Sequence, residues 1–269
     1  MTKTNILPFF KISFSYTIFY LLLLVILPIS YLVFHATQLD LNDFISSVTN
    51  DRVLAAYQLT ITVALGAAII NIILGLLISW TLVRYDFFGK SILEMFVDLP
   101  LALPTAIAGL ILATIYSPGG AFGKILSKLG IQVAFTNLGI LMALILVGLP
   151  LAVRTLEPII REIDSDVESA AYGLGASGLQ VFLRVYLPGF MPSIISAFSI
   201  CFARALSEYG AVIFIASNIP KESEIVSMLI YSKIEQFDYN EATAIALVML
   251  LLSFFILWAI NAYAKRWII

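Results

Sequence analysis

Two charged residues, Arg204 and Glu208, stand four positions apart inside the apolar run 191–216. Residues at i and i+4 share one face of a helix, so these two side chains can form an ion pair. Because charge is costly in apolar surroundings, such a pair must face other protein or a polar cavity. The spacing leaves two roles open: a structural brace, or part of a polar path that also includes the following Tyr209 and Gly210.

Catalytic signatures are missing from the sequence. His35 is the only histidine, and neither a His-Glu-x-x-His zinc motif nor a Gly-x-Ser-x-Gly nucleophile elbow occurs. A phosphate-binding loop would need a glycine where Arg84 stands, five residues before the Gly-Lys-Ser at 89–91. The single cysteine, Cys201, excludes an intramolecular disulfide and a cysteine-based zinc site. We therefore expect no enzyme activity, no metal and no cofactor on this chain, so another chain must bind any nucleotide that drives it.

A polar stretch at 164–188 separates two apolar runs and contains residues that typically begin and end helices. Ser165 with Glu168, and Ser177 with Gln180, have the spacing of capping boxes. This predicts two successive helices, with Gly175 between them as a left-handed cap of the first.

The first of these predicted helices, 166–174, has one narrow apolar face. Its apolar residues follow i, i+3, i+4, i+7 spacing: Val167, Ala170, Ala171 and Leu174. A helix this short does not reach the roughly 12 to 15 residues that an isolated helix needs in water, so it must be docked. Periodicity alone allows packing on its own bundle or docking on another protein.

Composition indicates the class of protein that holds these residues. Hydrophobic residues make up 61% of the chain and charged residues 12%, whereas soluble domains have about 45 to 50% and about 25%. The net charge is −2 and no basic block occurs, which argues against a nucleic-acid partner. The chain is therefore expected to be an integral multi-pass membrane protein.

Six apolar runs are long enough to cross a bilayer, which predicts an all-α, polytopic membrane helix bundle of about six transmembrane helices with both termini on one side. The runs are 14–34, 57–83, 93–116, 138–157, 191–216 and 242–264. The first is too long for the apolar region of a signal peptide, so we interpret it as a retained span. The predicted organisation is an N-terminal span and outer loop at 1–56, a transmembrane domain at 57–264 with a loop at 158–190, and a tail at 265–269.

The distribution of lysine and arginine predicts the orientation of the bundle. With the N-terminus inside, the connections carry nine basic residues inside and five outside, which favours a cytoplasmic position for the loop at 158–190. The nine are Lys3, Lys11, Arg84, Lys90, Arg154, Arg161, Arg184, Lys265 and Arg266.

The third span contains Pro100 and Pro104, each of which removes a backbone donor. It also holds small residues four apart, which allow close helix contact: Ala102 with Ala106, and Thr105 with Gly109. This pattern is consistent with a kinked packing helix or with a wall of the candidate polar path.

The loop at 158–190 also carries a motif. Its residues Ser169-Ala170-Ala171, then Gly175, then Val185-x-Leu187-Pro188 resemble the Glu-Ala-Ala, Gly, Ile-x-Leu-Pro signature of permease subunits of ABC importers. One departure is plain, because Ser169 stands at the motif's glutamate position and Glu168 lies one residue earlier. The resemblance covers roughly residues 50–264.

Two further segments, 203–220 and 235–254, are similar to the sulfate/thiosulfate branch of that family. Molybdate and tungstate permeases share the Arg-Ala-Leu-x-Glu at 204–208 and are the alternative for the substrate. A self-sufficient secondary transporter is a third possibility, although no internal repeat is evident.

The resemblance implies a type I ABC importer permease fold and a set of partners. The short helix would couple to a separate ATPase through Glu168, Ser169, Ala170, Ala171, Leu174, Gly175, Leu187 and Pro188. The expected partners are two ATPase subunits that bind ATP, a second permease that is identical or paralogous, a soluble sulfate-binding protein and the lipid membrane. The expected location is a chloroplast envelope membrane for a plastid-encoded protein, and otherwise a bacterial plasma membrane.

Overall fold

The computed structural model describes residues 9–264, apart from the Ser165 side chain, and no strand occurs among them. Five helices are long and apolar enough to span a bilayer: α1 (Phe10–Thr37), α3 (Asp51–Arg84), α7 (Asn137–Arg161), α9 (Gly178–Ser207) and α12 (Tyr239–Ala264). The shorter helices are α2 (Leu41–Thr49), α4 (Lys90–Ala102), α5 (Thr105–Tyr116), α6 (Gly123–Lys128), α8 (Ser165–Gly173), α10 (Val212–Ile215) and α11 (Val226–Glu235). The predicted all-α membrane bundle is confirmed, while the tail at 265–269 lies outside the described residues.

Helices α3 and α7 form the centre of the bundle and run parallel to each other. The Asn71 amide of α3 donates to the Leu144 carbonyl of α7 at 3.5 Å, and two turns further along the Ser79 hydroxyl donates to the Val153 carbonyl at 3.1 Å. The residue numbers of the hydrogen-bonded partners increase in the same direction along both helices, as they do only in a parallel pair. Buried alanines of α3 let the two backbones approach closely: Ala64, Ala67 and Ala68.

The parallel pair fixes the path of the chain between the two helices. Both helices end at the same end of the bundle, so residues 85–136 must return to the other end before α7 begins. Helices α4 and α5 make that return together, with a bend of 112° between them. The apolar run 93–116, expected to be an interrupted span, is thus two helices with a sharp break between them, and the broken pair supplies the sixth crossing.

Pro104 explains where the third span breaks. A residue that precedes proline is pushed out of the helical region, and Leu103 has an extended backbone with φ −85° and ψ 138°. Pro104 then becomes the N-cap of α5. Pro100, in contrast, is accommodated inside α4.

The fifth span differs from its predicted bounds at both ends. Helix α9 starts at Gly178 and ends at Ser207, and the segment 208–211 separates it from the single turn α10. The predicted continuation of the helix to residue 216 is therefore wrong. The break leaves Glu208 with an extended backbone, φ −74° and ψ 129°.

Two wider π turns interrupt the long helices, and each ends two residues before a proline. Residues Leu22–Ile26 of α1 precede Pro28, and residues Phe182–Tyr186 of α9 precede Pro188. Proline lacks an N–H and its ring displaces the carbonyl four residues earlier, and the wider turn accommodates both effects. Both helices therefore continue through their prolines without a break.

One end of the bundle, which we call the hinged end, consists of the ends of α3 and α7, helix α8 and the start of α9. At the opposite end, Arg52 at the start of α3 makes a bidentate ion pair with the buried Glu224, with N–O distances of 2.7 and 2.6 Å. This pair ties the segment before α11 to α3. The charge bias predicts that the hinged end is cytoplasmic, although Lys3, Lys265 and Arg266 lie outside the described residues.

A labelling experiment tests this orientation. Ser177 and Ser46 are exposed at opposite ends of the bundle, and the native Cys201 is buried and should give little background. We expect a membrane-impermeant thiol reagent to label Ser46→Cys in intact cells and Ser177→Cys only after the membrane is opened. Labelling of Ser177→Cys in intact cells would contradict the predicted orientation.

Candidate functional site

Helix α8 begins with a cap that differs from the predicted one. Asp164 is the N-cap, and its carboxylate accepts a hydrogen bond from the Asp166 N–H at 2.9 Å. The Ser165 side chain, half of the predicted capping box, lies outside the described residues. The predicted box is wrong, because the N-cap is Asp164 rather than Ser165, and the Glu168 carboxylate pairs with Arg84.

Helix α8 ends in a complete Schellman motif. The Ala176 N–H donates to the Ala171 carbonyl at 3.1 Å, and the Gly175 N–H donates to the Tyr172 carbonyl at 2.9 Å. Gly175 has φ +83°, so the predicted left-handed cap is confirmed. These bonds hold the turn between α8 and α9 in one conformation.

The second predicted capping box is also confirmed. The Ser177 hydroxyl accepts from the Gln180 N–H at 3.4 Å, and the Gln180 side-chain oxygen accepts from the Ser177 N–H at 2.8 Å. Helix α9 therefore starts from a fixed point two residues after Gly175.

The predicted apolar face of α8 is divided between two environments. Ala171 packs on the bundle, in a cluster that includes Trp80 and Phe182. Val167, Ala170 and Leu174 remain exposed, and Leu174 is 89% exposed. The helix is thus held by its own bundle on one side and presents an apolar surface on the other. Among the other predicted coupling residues, Ser169 and Pro188 are exposed and Leu187 is half-buried.

Arg84, the last residue of α3, joins α8 to the bundle. Its Nη2 donates to the Glu168 Oε2, and its guanidinium lies 5.4 Å from the Trp80 ring centre and 6.0 Å from that of Tyr186. Sequence reasoning missed this role, since an arginine at a span end is ordinary and the partner is distant in sequence.

The Glu168 carboxyl is held in its charged form. The Tyr186 hydroxyl, which is buried and makes no hydrogen bond of ordinary geometry, lies beside the carboxylate. That hydroxyl and the Arg84 guanidinium together lower the pKa of the Glu168 carboxyl below its usual value. The ion pair therefore contributes at neutral pH and is lost only in acid, as the pH falls through this lowered pKa.

A second charge network at the hinged end was also missed by sequence reasoning. Arg154 of α7 donates to Asp98 of α4 at 3.0 Å and to Glu157 at 2.9 Å. Glu157 also accepts from Arg161, one turn further along α7. These contacts fix the first half of the broken third span on α7.

The breaks in the third and fifth spans pack against each other. A Cβ atom added at Gly109 would lie 2.1 Å from the Ala211 carbonyl oxygen, and one added at Gly210 would lie 2.3 Å from the Thr105 hydroxyl oxygen. Gly109 therefore lies against the Ala211 backbone with no room for a side chain, and Gly210 packs against the Thr105 side chain. The predicted small pair Thr105 and Gly109 forms one side of this contact.

The predicted ion pair between Arg204 and Glu208 is confirmed, with an N–O distance of 2.9 Å. The Glu208 side chain is 2% exposed and that of Arg204 is 39% exposed. Glu208 also accepts from the Ala211 N–H at 3.0 Å, so it stabilises the non-helical segment that follows it. This geometry shows the structural brace, and the participation of the pair in a path stays a prediction.

Tyr209 and Gly210 extend the contact between the two breaks. The Tyr209 ring lies 5.1 Å from that of Tyr231, and its buried hydroxyl has no hydrogen-bond partner among the residues that the structure describes. Of the candidate path residues, Pro104, Arg204, Glu208, Tyr209 and Gly210 thus belong to the breaks in the two spans, while Pro100 stands inside α4. Within residues 9–264, no group of three or more His, Cys, Asp or Glu side chains is placed to hold a metal ion.

The structure is thus a multi-pass helical bundle with two interrupted spans and a short, exposed helix at one end. The chain belongs to the family of binding-protein-dependent transport system inner membrane components, whose model matches residues 71–269. It is therefore an integral membrane transport protein.

Relatives and solved structures agree with this assignment. The chain is 45% identical to the probable sulfate transport system permease protein cysT of Nephroselmis olivacea, over 93% of this chain and 88% of the relative. It is 40% identical to the sulfate transport system permease protein CysT of Salmonella typhimurium, over 99% and 96%. The fold is similar, with a TM-score of 0.80 at 17% identity over 96% and 95% of the two chains, to a bacterial ABC transporter involved in the import of the acidic polysaccharide alginate. The predicted ABC importer permease fold is confirmed.

The conformation of Gly175 gives the first prediction at this site. Neither Gly173 nor Gly175 has any atom within 4 Å of an added Cβ, but only Gly175 has a positive φ. We expect Gly175→Val to strain the cap by about 1 to 2 kcal/mol. Hydrogen exchange of the amides at 174–176 should then be about 5 to 30 times faster. Gly173→Val is the matched control and should leave these rates nearly unchanged; equal effects of both variants would contradict the argument.

The unequal burial of Arg204 and Glu208 gives the second prediction at this site. Arg204→Met leaves the buried Glu208 carboxylate without its cation and should destabilise the protein by about 2 to 3 kcal/mol. Glu208→Gln should cost less, because Arg204 reaches a more exposed region and the hydrogen bond from Ala211 can persist. Thermal unfolding in detergent measures both variants, and the combination of the two should be more stable than Arg204→Met alone. A combination less stable than Arg204→Met would argue against mutual pairing.

Proposed function

We propose that this chain is the transmembrane permease subunit of an ATP-driven import system for sulfate and thiosulfate. The observation that carries the proposal is the exposed apolar surface of α8, which stands at the motif position where permeases couple to their ATPase. The sequence has no nucleotide-binding loop of its own, so ATP binds to a separate ATPase. The names of the relatives support the choice of sulfate.

Movement of α8 is transmitted through α9 to the contact between the two broken spans. The turn at 174–177 is held by the Schellman motif and the second capping box, so α8 and α9 move together. Helix α9 is 30 residues long, or about 45 Å at 1.5 Å per residue. Its far end is the break at Glu208, which packs on α5. An ATPase that displaces α8 therefore acts on the contact between the two broken spans.

That contact is the proposed gate for the anion. Gly109 against the Ala211 backbone and Gly210 against the Thr105 side chain close it here. Separation of the two segments would expose the start of α5, where the first N–H groups of a helix have no intrahelical partner and favour an anion. Arg204 adds positive charge, which Glu208 neutralises while the gate is closed. Such groups stabilise a dianion without binding it permanently.

The complete assembly follows from this role. The family description names a binding-protein-dependent system, so a soluble sulfate-binding protein delivers the anion to the outer side. Two ATPase subunits act on the α8 helices of two permeases, of which this chain is one. The second permease is an identical or a paralogous chain.

Uptake of radiolabelled sulfate tests the proposal. The chain is produced with its ATPase, second permease and binding protein in cells that lack their own sulfate importer. We expect uptake that requires ATP hydrolysis, is inhibited by thiosulfate and is not inhibited by molybdate. Inhibition by molybdate but not by thiosulfate would favour a molybdate permease, and uptake without the ATPase would indicate a secondary transporter.

A further inference from the structure

We infer that Glu168 acts inside the chain, as a link from α8 to α3 through Arg84, and that α8 offers the ATPase a surface without a carboxylate at the motif position. The inference rests on the proposed function of α8. It assigns a coupling role to Arg84 and Glu168 and describes the kind of partner surface that fits this helix.

The angular spacing of residues around α8 places Glu168 on a different side from the docking surface. Consecutive residues of an α-helix are about 100° apart around its axis. Glu168 is half-buried and shares the bundle side of α8 with Ala171, three residues later, whereas Ser169 and Ala170 are exposed. The shift of the acidic residue by one position therefore moves the carboxylate from the exposed side to the bundle side.

On the bundle side, the Glu168 carboxylate reaches the Arg84 guanidinium, which aromatic rings hold in place. The guanidinium of Arg84 lies against Trp80, one turn earlier in α3, and against Tyr186 of α9. It donates to Glu168 from this position, with the two side chains only 29% and 22% exposed. Helices α3, α8 and α9 thus meet at one ion pair.

The meeting point gives α8 a second connection to the bundle. The turn at Gly175 links α8 to α9, and the ion pair links it to α3, which packs along α7. A displacement of α8 therefore acts on the central pair of α3 and α7 as well as on α9. Loss of the ion pair should leave docking intact and weaken the transmission of movement.

The exposed side of α8 defines the complementary partner surface. Leu174 and Leu179 are 89% and 69% exposed, and Val167 is 50% exposed. With Ser169 and Ala170 they form a largely apolar surface with one hydroxyl, and the exposed Asp166, one turn earlier, adds a carboxylate beside Ser169 and Ala170. The ATPase groove that fits it is lined mainly by apolar groups, with a cation or hydrogen-bond donor opposite Asp166, and needs no cation opposite residue 169.

A double-mutant cycle tests the inference in the reconstituted complex with its ATPase, second permease and binding protein. The variants are Glu168→Gln, Arg84→Gln and their combination, with Asp86→Asn as the control for loss of an exposed charge at the hinged end and Leu174→Asp as the control for lost docking. Two quantities are measured: the amount of ATPase that co-purifies, and the sulfate transported per ATP hydrolysed in proteoliposomes.

We expect both single variants to retain the ATPase to within about twofold of wild type, and to lower the transport ratio by a similar factor of about three to ten. The combination should be no worse than either single variant, because each removes the same link. Leu174→Asp should lose the ATPase, and Asp86→Asn should behave as wild type.

Two results would overturn the inference. One is loss of the ATPase with Glu168→Gln but not with Arg84→Gln, which would place the carboxylate in contact with the ATPase. The other is additive losses of transport in the combination. The proposed function fails separately, if the wild-type complex hydrolyses ATP without importing sulfate.

Discussion

The parallel packing of α3 and α7 is the constraint on which the rest of the structure depends. Two spans that run in the same direction can approach this closely because small residues face each other. Gly148 of α7 is one of them: a Cβ atom added there would lie 2.2 Å from the amide nitrogen of Asn71 of α3, so no side chain fits. A parallel pair needs a returning crossing between its members. It also brings the ends of both helices to the hinged end, where Arg84 pairs with Glu168 of α8 and α7 ends at Arg161, four residues before α8 begins.

Backbone groups explain why the irregular segments occur where they do. Inside a bilayer, an interrupted helix is tolerated only where protein or a polar cavity covers it. The two interruptions satisfy this condition by covering each other, with Gly109 against Ala211 and Gly210 against Thr105. Side chains complete the arrangement, since Glu208 accepts from the Ala211 N–H and its own carbonyl accepts from the Ser227 hydroxyl at 3.0 Å. The interruptions are thus one paired structure that connects α5 to α9.

Local features of the sequence predicted much of the fold and part of the site. Apolar runs located the crossings, and short-range rules predicted the Ser177 capping box, the left-handed Gly175 and the pair of Arg204 with Glu208. The errors concern long-range contacts. Pro104 marks a break, but its 112° bend depends on the segment 208–211 that packs there. Similarly, the pairing of Glu168 depends on which side of α8 faces α3, and a one-residue offset in a motif does not reveal this.

The central claim is that α8 is the element on which a separate ATPase acts. Site-specific photo-crosslinking from position 174 tests it most directly, because Leu174 is an apolar residue that is 89% exposed at the end of α8. A photoreactive residue there should give a covalent adduct with the ATPase subunit, in a yield that changes when ATP is added. The same residue at Leu251, on an exposed face of α12, should give none. Co-purification of the ATPase without any adduct from position 174 would contradict the account.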